Sequence, residues 1–219
     1  MQEYEKNRDL ILDSFQININ NFGTTMYMFF DVEYFDNNKG NIANYNPNWG
    51  EKPKFYPFQF TLTNYFGPIC INEWIAYDKN IMTNKEKEGY EFALKKKNID
   101  YEATCGIKLL NAKIKNNMKE ARYLIGYGVE EDVKLMKDEL GIDLEKYHIL
   151  DLSKYPGFAK SDRGGLPEKL KFVTELKLET KIQSISGHHD SRIDCECIRK
   201  LFWKEKEKIN LSDLIFNKF

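Results

Sequence analysis

The apolar run at residues 26–35 constrains the fold of this chain more than any other segment. Such a nearly continuous run is typical of a strand that is buried on both faces of a sheet. Two carboxylates interrupt it, Asp31 and Glu33. Because side chains alternate between the two faces of a strand, residues two apart lie on the same face. The sequence therefore predicts a core strand that carries two acids on one side.

The charge of Asp31 and Glu33 needs compensation if the strand is buried, because an unpaired carboxylate is costly to remove from water. A divalent cation is one solution, since Mg²⁺ prefers oxygen ligands and is often held by one or two carboxylates. The alternative is a solvent-exposed face with ordinary surface acids. An isolated Asp-x-Glu pair favours that alternative, so the pair alone is a weak signal.

A second acidic position lies in residues 126–132, where a short strand ending in glycines leads into a helix. This arrangement places Asp132 in the first turn of the helix, near the carboxyl edge of the sheet, where sites in α/β folds gather. A helix-terminal acid stabilised by the macrodipole is the alternative, and Glu130 and Glu131 compete for that role.

The third group is at residues 187–194, where two of the three histidines of the chain precede an amphipathic helix. We expect His189 to lie in the entering loop and Asp194 about one turn into the helix. A histidine beside a metal-bound carboxylate suits a general base, because its pKa is near neutrality. The alternative is a zinc site, although ligands so closely spaced do not easily reach one tetrahedral ion. Its ligands would be His188, His189, Cys195 and Cys197.

The order of elements indicates an α/β fold. Strands are predicted at 26–35, 58–64 and 69–77, then at 123–128 and 148–152, and helices at 85–97, 107–120, 129–140, 167–176 and 190–203. A strand meander followed by alternating helices and strands is typical of a sheet with helices on its faces. The length of 219 residues fits a single domain, 1–219, with a long loop insert at about 36–56.

Together, the three motifs resemble those of the DEDDh family of 3′→5′ exonucleases, in particular its RNA-processing members. The resemblance covers about residues 26–203, and it includes a Gly-Ile segment at Gly106 and a Gly-Leu segment at Gly165. It implies a ribonuclease H-like fold, which is a mixed sheet with an antiparallel meander and flanking helices. Tyr127, where the family often has His or Asn, and Cys195, where Ala is usual, depart from its pattern.

The resemblance also implies an activity, the metal-dependent 3′→5′ hydrolysis of single-stranded nucleic acid, with RNA favoured over DNA. The implied ligands of two Mg²⁺ or Mn²⁺ ions are the four acids Asp31, Glu33, Asp132 and Asp194. His189 would be the general base. Just past the first motif, Tyr34 and Phe35 are candidates to stack on the terminal base, with core packing as the alternative.

Two other functions stay open at this point. One is a catalytically weak or inactive RNA-binding module of the same fold, similar to the Maelstrom nuclease-like domain. The other is association with a protein partner through an aromatic loop at 45–56, which contains Tyr45, Trp49, Phe55 and Tyr56. The loop also suits a substrate lid or its own local core.

Composition limits the classes of function and the cellular locations that we expect for this protein. The net charge of −1 counts against a passive coat on nucleic acid, but it counts little against an enzyme that has an acidic metal site and basic residues elsewhere. Four cysteines in a chain of this length do not indicate a disulfide framework. The polar amino terminus and the absence of a long apolar run predict neither a signal peptide nor a membrane span. We therefore expect an intracellular protein, cytoplasmic or nuclear.

Overall fold

The computed structural model describes residues 26–37, 53–159, 168–180 and 190–216. The strands of this described part are β1 (Tyr27–Asp36), β2 (Phe55–Asn64), β3 (Ile69–Ala76), β4 (Cys105–Gly106), β5 (Tyr123–Gly126) and β6 (His148–Asp151). Its α-helices are α1 (Asn84–Lys97), α2 (Ile107–Asn117), α3 (Glu130–Leu140), α4 (Leu170–Leu178) and α5 (Ser191–Glu205). One 3₁₀ turn precedes β4, two follow β6, and another lies at Leu211–Leu214.

The strands form one mixed sheet in the order β4-β3-β2-β1-β5-β6. β1, β2 and β3 pair antiparallel, whereas β5 pairs parallel with both β1 and β6. β4 adds a short parallel edge to β3. This topology confirms the predicted mixed sheet with an antiparallel meander and flanking helices.

β1 lies in the middle of the sheet, and its two faces contribute to two separate cores. Met28, Phe30 and Val32 pack into the larger core, together with residues of α1, α2 and α3. Phe29 points the other way, into a core that contains Ile198 and other residues of α5. Because the strand is buried on both faces, its sequence is apolar almost throughout.

A bulge in the ladder with β2 lies between Glu33 and Tyr34. A bulge adds one residue to a strand and changes which face the following side chains occupy. Phe35 therefore joins Val32 in the larger core, although simple alternation from Glu33 would place it on the opposite face. The face that carries the two acids ends at Glu33.

The ends of two helices follow their sequence signals. α1 begins with a capping box, in which the side chain of Thr83 accepts a hydrogen bond from the backbone N–H of Glu86, and Glu86 reciprocates. α3 ends at Gly141, which adopts the left-handed conformation of a helix cap. The predicted cap at Gly141 is confirmed.

The predicted start of α4 was wrong. The helix begins at Leu170 rather than at Pro167, which lies outside the described residues, and Lys169 before it is extended. Tertiary hydrogen bonds explain the delay: the backbone N–H of Glu168 donates to Phe158 O, and its carbonyl accepts from the hydroxyl of Tyr127. These bonds hold residue 168 outside the helix.

None of the helices in these described ranges is long and apolar enough to cross a membrane.

Candidate functional site

Asp31 and Glu33 lie on the face of β1 that is directed towards α5. Phe29, two residues before Asp31, packs in the same core as Cys195 and Ile198 of that helix. The side chains of Asp31 and Glu33 approach a carboxylate of α5, which confirms that they share one face. Both are partly buried, so the acids stand at the rim of this core and not on an open surface.

The α5 carboxylate belongs to Asp194, a buried residue in the first turn of the helix. The helix begins at Ser191 after Asp190, whose side chain accepts a hydrogen bond from the backbone N–H of Arg192 at 3.0 Å. The predicted position of Asp194, about one turn into a helix, is confirmed. The N-terminus of α5 thus lies against the acids of β1.

Asp31, Glu33 and Asp194 form a converging group. One carboxylate oxygen from each lies within 4.8 Å of the oxygens from the other two. Three carboxylates at this separation repel one another unless a cation lies between them. An all-oxygen set of this kind suits a hard divalent cation such as Mg²⁺ or Mn²⁺.

Asp132 approaches the group from α3. It is buried in the first turn of that helix, as predicted. It is not among the three residues whose oxygens converge within 4.8 Å, but its charge raises the pKa of Asp31. The pKa of Asp132 is itself raised well above the ordinary value by burial, and further by the charges of Glu33 and Asp151.

The pKa of the Asp31 carboxyl group depends on its burial and on the charges around it. Burial raises the pKa of Asp31 well above its ordinary value, and the charges of neighbouring residues raise it further. The contributing residues are all acids: Asp132, Asp194, Glu33 and Asp190. A group that is surrounded by like charges favours protonation, or a bound cation that compensates the ionised form. The donor set therefore fits a metal ion.

Two further acids that sequence reasoning did not select support this site. Asp190 is the N-cap of α5, and its position before Ser191 at the start of an amphipathic run was the available signal. Asp151 accepts hydrogen bonds from the backbone N–H groups of Gly128 at 2.8 Å and Ser153 at 3.0 Å. It thereby fixes the turn between β5 and α3, and so the start of the helix that carries Asp132.

The proposed general base, His189, lies outside the described residues, as does His188. Its role stays a prediction. The zinc alternative also depends on these two histidines. Among the described residues, neither Cys195 nor Cys197 belongs to a group that could hold a metal ion.

Both candidates for base stacking contact the larger core, but Phe35 is buried more deeply than Tyr34. Phe35 is buried and stacks on Tyr56, with ring centroids 5.0 Å apart and planes 16° apart. This placement agrees with the core-packing alternative, because a buried ring offers little surface to a nucleobase. Tyr34 is only partly buried, so its stacking role stays a prediction.

The predicted aromatic loop at 45–56 needs a correction at its carboxyl end. Phe55 and Tyr56 belong to β2, and Tyr56 is buried in the larger core. A buried Tyr56 is not available to a partner protein. Residues 45–52, including Tyr45 and Trp49, lie outside the described part of the chain.

Tyr127 and Cys195, which depart from the family pattern, both make structural contacts. The hydroxyl of Tyr127 donates to the backbone carbonyl of Glu168, and this bond connects the β5–α3 turn to the segment before α4. The thiol of Cys195 donates to the carbonyl of Phe29 at 3.0 Å. Cys195 therefore joins α5 to β1 two residues before Asp31.

Comparison with models of protein families gave no match, and comparison with curated protein sequences gave none either. Solved structures do match. The catalytic unit of Pan2 from Neurospora crassa, with protease and nuclease domains, superimposes with a TM-score of 0.56 at 16% identity, over 85% of this chain and 27% of that one. The Saccharomyces cerevisiae Pan2 pseudoubiquitin hydrolase–RNA exonuclease module, in complex with AAGGAA RNA, gives 0.55 at 13% identity, over 87% and 30%.

A third match covers most of both chains. Pop2p of S. pombe, in a form with bound Mg²⁺ and Mn²⁺, matches with a TM-score of 0.51 at 13% identity, over 97% of this chain and 92% of that one. The fold is ribonuclease H-like. This chain spans less than a third of the Pan2 chains that it matches. At these identities, the likeness to all three structures establishes the ribonuclease H-like fold alone.

Proposed function

We propose that this protein is a metal-dependent 3′→5′ exonuclease that hydrolyses single-stranded nucleic acid, with RNA favoured over DNA. The observation that carries the proposal is the convergence of Asp31, Glu33 and Asp194 within 4.8 Å on one rim of the sheet. The three carboxylates repel one another, and a bound cation would compensate that repulsion. A perturbed acidic cluster is a frequent property of catalytic sites.

The structural neighbours support the same chemistry by analogy. The Pop2p structure contains Mg²⁺ and Mn²⁺, and one Pan2 module is an RNA exonuclease seen with RNA. These properties belong to those proteins. They favour a nuclease over a binding module here because this chain has acids at all four positions that the motif comparison selects.

The four acids have distinct roles in the proposal. Asp31, Glu33 and Asp194 hold the metal directly, and Asp132 completes the set from α3. Two Mg²⁺ or Mn²⁺ ions held by these acids would lower the pKa of bound water and would neutralise negative charge on the leaving oxygen. The acids bind and orient these ions, and while they do so they are not free to accept a proton from water.

A separate base is therefore needed, and we assign it to His189. It is adjacent in sequence to Asp190, whose position at the N-cap of α5 is fixed by hydrogen bonds. A neutral imidazole near this end of the helix would accept the proton from the attacking water. The half-buried ring of Tyr34, which follows Glu33 in β1, is a candidate to stack on the terminal base of the substrate.

The test is degradation of a 5′-labelled single-stranded RNA, with DNA of the same sequence in parallel, in Mg²⁺ or Mn²⁺. Wild-type protein runs beside Asp31→Asn and His189→Ala. Asp138→Asn is the matched control, because it removes the same charge from an exposed position of α3. We expect a ladder that shortens from the 3′ end, and we expect EDTA and the two site substitutions to abolish it while Asp138→Asn does not.

The alternative outcomes separate the remaining functions. RNA that stays intact in both metals, but that the wild-type protein binds, would replace the nuclease with an RNA-binding module of the same fold. Equal cleavage by wild type and Asp31→Asn would show that the activity does not come from this site. The ratio of RNA to DNA cleavage decides the preferred substrate.

A further inference from the structure

Three polar side chains line the face of β2 that is directed towards α5. They are Gln59, Thr61 and Thr63, with exposed fractions of 1%, 0% and 0%. We call them the polar row. Burial of polar groups in a sheet is unfavourable unless each finds a hydrogen-bond partner, so a buried polar row indicates a specific set of contacts.

The polar row lies directly beside the face of β1 that carries the acids. In the β1–β2 ladder, Gln59 pairs with Glu33, Thr61 pairs with Asp31, and Thr63 pairs with Phe29. Paired residues point to the same face of a sheet and lie in contact distance. Two of the three members of the row are thus immediate neighbours of proposed metal ligands.

Hydrogen bonds join this row to the first turn of α5. The hydroxyls of Thr61 and Ser191 are 2.7 Å apart. The side-chain oxygen of Gln59 accepts from the backbone N–H of Ser191 at 3.3 Å, and its amide nitrogen donates to Asp190 Oδ1 at 3.3 Å. Gln59 therefore satisfies one of the backbone donors at the helix N-terminus from a neighbouring strand.

Asn72 of β3 gives this network a direction. Its Oδ1 accepts from Gln59 Nε2 at 2.9 Å and from Thr61 Oγ1 at 3.0 Å. Because the single hydroxyl proton of Thr61 is directed to Asn72, the hydroxyl of Ser191 is the donor in the Thr61–Ser191 bond. The side chains of Gln59, Thr61 and Ser191 are thus all hydrogen-bonded at this junction, which restrains the rotation of α5 at its start.

The residue that follows Asp194 is also held by hydrogen bonds. This residue is Cys195, and its Sγ lies 3.5 Å from Thr63 Oγ1. The Cys195 thiol donates a hydrogen bond to Phe29 O at 3.0 Å. Asp194 is therefore placed between two anchored residues, Ser191 and Cys195. The hydrophobic effect has no direction, whereas hydrogen bonds at both positions restrain the register and the rotation of the helix.

We propose that the polar row of β2 sets the position of Asp194 relative to Asp31 and Glu33, with Gln59 and Thr61 as positioning residues of the metal site. The inference rests on the proposed function, since it assumes that the acids bind metal. Some residues orient metal ligands without touching the ion, and replacing them changes the affinity for the metal.

The test compares Thr61→Val with Thr61→Ser. Valine keeps the shape of threonine and removes the hydroxyl, whereas serine keeps the hydroxyl. The matched control is Tyr77→Phe, which removes a buried hydrogen bond to Pro57 O of the same strand, on the side of the larger core. Mn²⁺ affinity is measured by titration calorimetry on each full-length variant, and stability by thermal unfolding in EDTA.

We expect Thr61→Val to weaken Mn²⁺ binding by about tenfold or more. Thr61→Ser should bind close to wild type, and Tyr77→Phe should lose stability without a change in Mn²⁺ affinity. Wild-type affinity in Thr61→Val, together with a loss of stability like that of Tyr77→Phe, would overturn this inference alone. Absence of Mn²⁺ binding by the wild-type protein would overturn the proposed function and the inference together.

Discussion

A carboxylate oxygen of Asp194, in the first turn of α5, lies within 4.8 Å of one on Asp31, in the middle strand of the sheet. The two residues belong to different elements, and each is partly or fully buried. Two like charges at this distance destabilise the metal-free protein. A bound cation would compensate this repulsion. Removal of one acid should therefore increase stability without metal and decrease metal binding.

Asp31→Asn should have opposite effects on stability and activity. Above the raised pKa of Asp31, the substitution removes one negative charge from a group of acids, so we expect the melting temperature in EDTA to rise there by about 2 °C or more. Metal-dependent hydrolysis should fall at least about a hundredfold. Replacing a residue that only orients a metal ligand costs up to about this factor, and Asp31 is itself a proposed ligand. Thermal unfolding and the RNA assay measure the two effects. A variant that is less stable than wild type in EDTA would contradict the repulsion described here.

Stability should depend on pH in a way that metal reverses. The pKa values of Asp31 and Asp132 are raised in the folded protein, whereas both groups titrate near pH 4 in the unfolded chain. The folded state therefore binds protons more tightly, and the stability contributed by the protonated acids is complete below about pH 4. It is lost as the pH rises through the folded pKa values.

The measurement for this pH dependence is unfolding in EDTA across the pH range, for wild type and for the double variant Asp31→Asn with Asp132→Asn. Above about pH 4, wild type should lose stability relative to the double variant, which cannot titrate at these positions. Added Mn²⁺ should restore wild type at neutral pH and leave the double variant unchanged. Parallel curves for the two proteins in EDTA would be inconsistent with raised pKa values.

Gly126→Ala should destabilise the protein by about 1–3 kcal/mol, because the new methyl group overpacks the core. A Cβ at this position would lie 2.4 Å from Val129 Cγ1 and 2.8 Å from Phe30 Cε1. Gly106→Ala is the control, since a Cβ there meets nothing within 4 Å. It should change stability by less than about 1 kcal/mol. Equal denaturant midpoints for the two variants would show that the turn after β5 can relax.

Thiol reactivity should be confined to one cysteine in the native protein. Cys70 is partly exposed, and the other three cysteines are buried. Burial also raises the pKa of the Cys70 thiol, so it should react more slowly than a free thiol. Labelling with a thiol reagent should modify one group in the native state and four after denaturation, and Cys70→Ser should abolish the native reaction. Native labelling of Cys195 would contradict its complete burial.

Local patterns in the sequence were sufficient to predict much of the fold. The apolar run around Asp31 predicted a core strand because such runs have few other structures available to them. Gly141 predicted a helix end because its left-handed conformation is unfavourable for other residues. The placement of Asp132 and Asp194 in first turns of helices followed from the same kind of local signal.

Features that depend on distant contacts were not predictable from one sequence. The bulge after Glu33 changes the face of Phe35, and only its pairing with β2 defines it. The late start of α4 depends on hydrogen bonds to Tyr127 and Phe158. The hydrogen-bond partner that Gln59 and Thr61 share in α5, Ser191, is more than a hundred residues away in the sequence. No local pattern around Gln59 or Thr61 predicts it.

The central claim is that Asp31, Glu33 and Asp194 form a metal site, and direct titration of Mn²⁺ into the metal-free protein tests it. We predict saturable binding by wild type, loss of that binding in Asp194→Asn, and full retention in Asp138→Asn, which changes an exposed acid of α3. Binding that is equal in Asp194→Asn and wild type, or no binding by wild type, would contradict the claim.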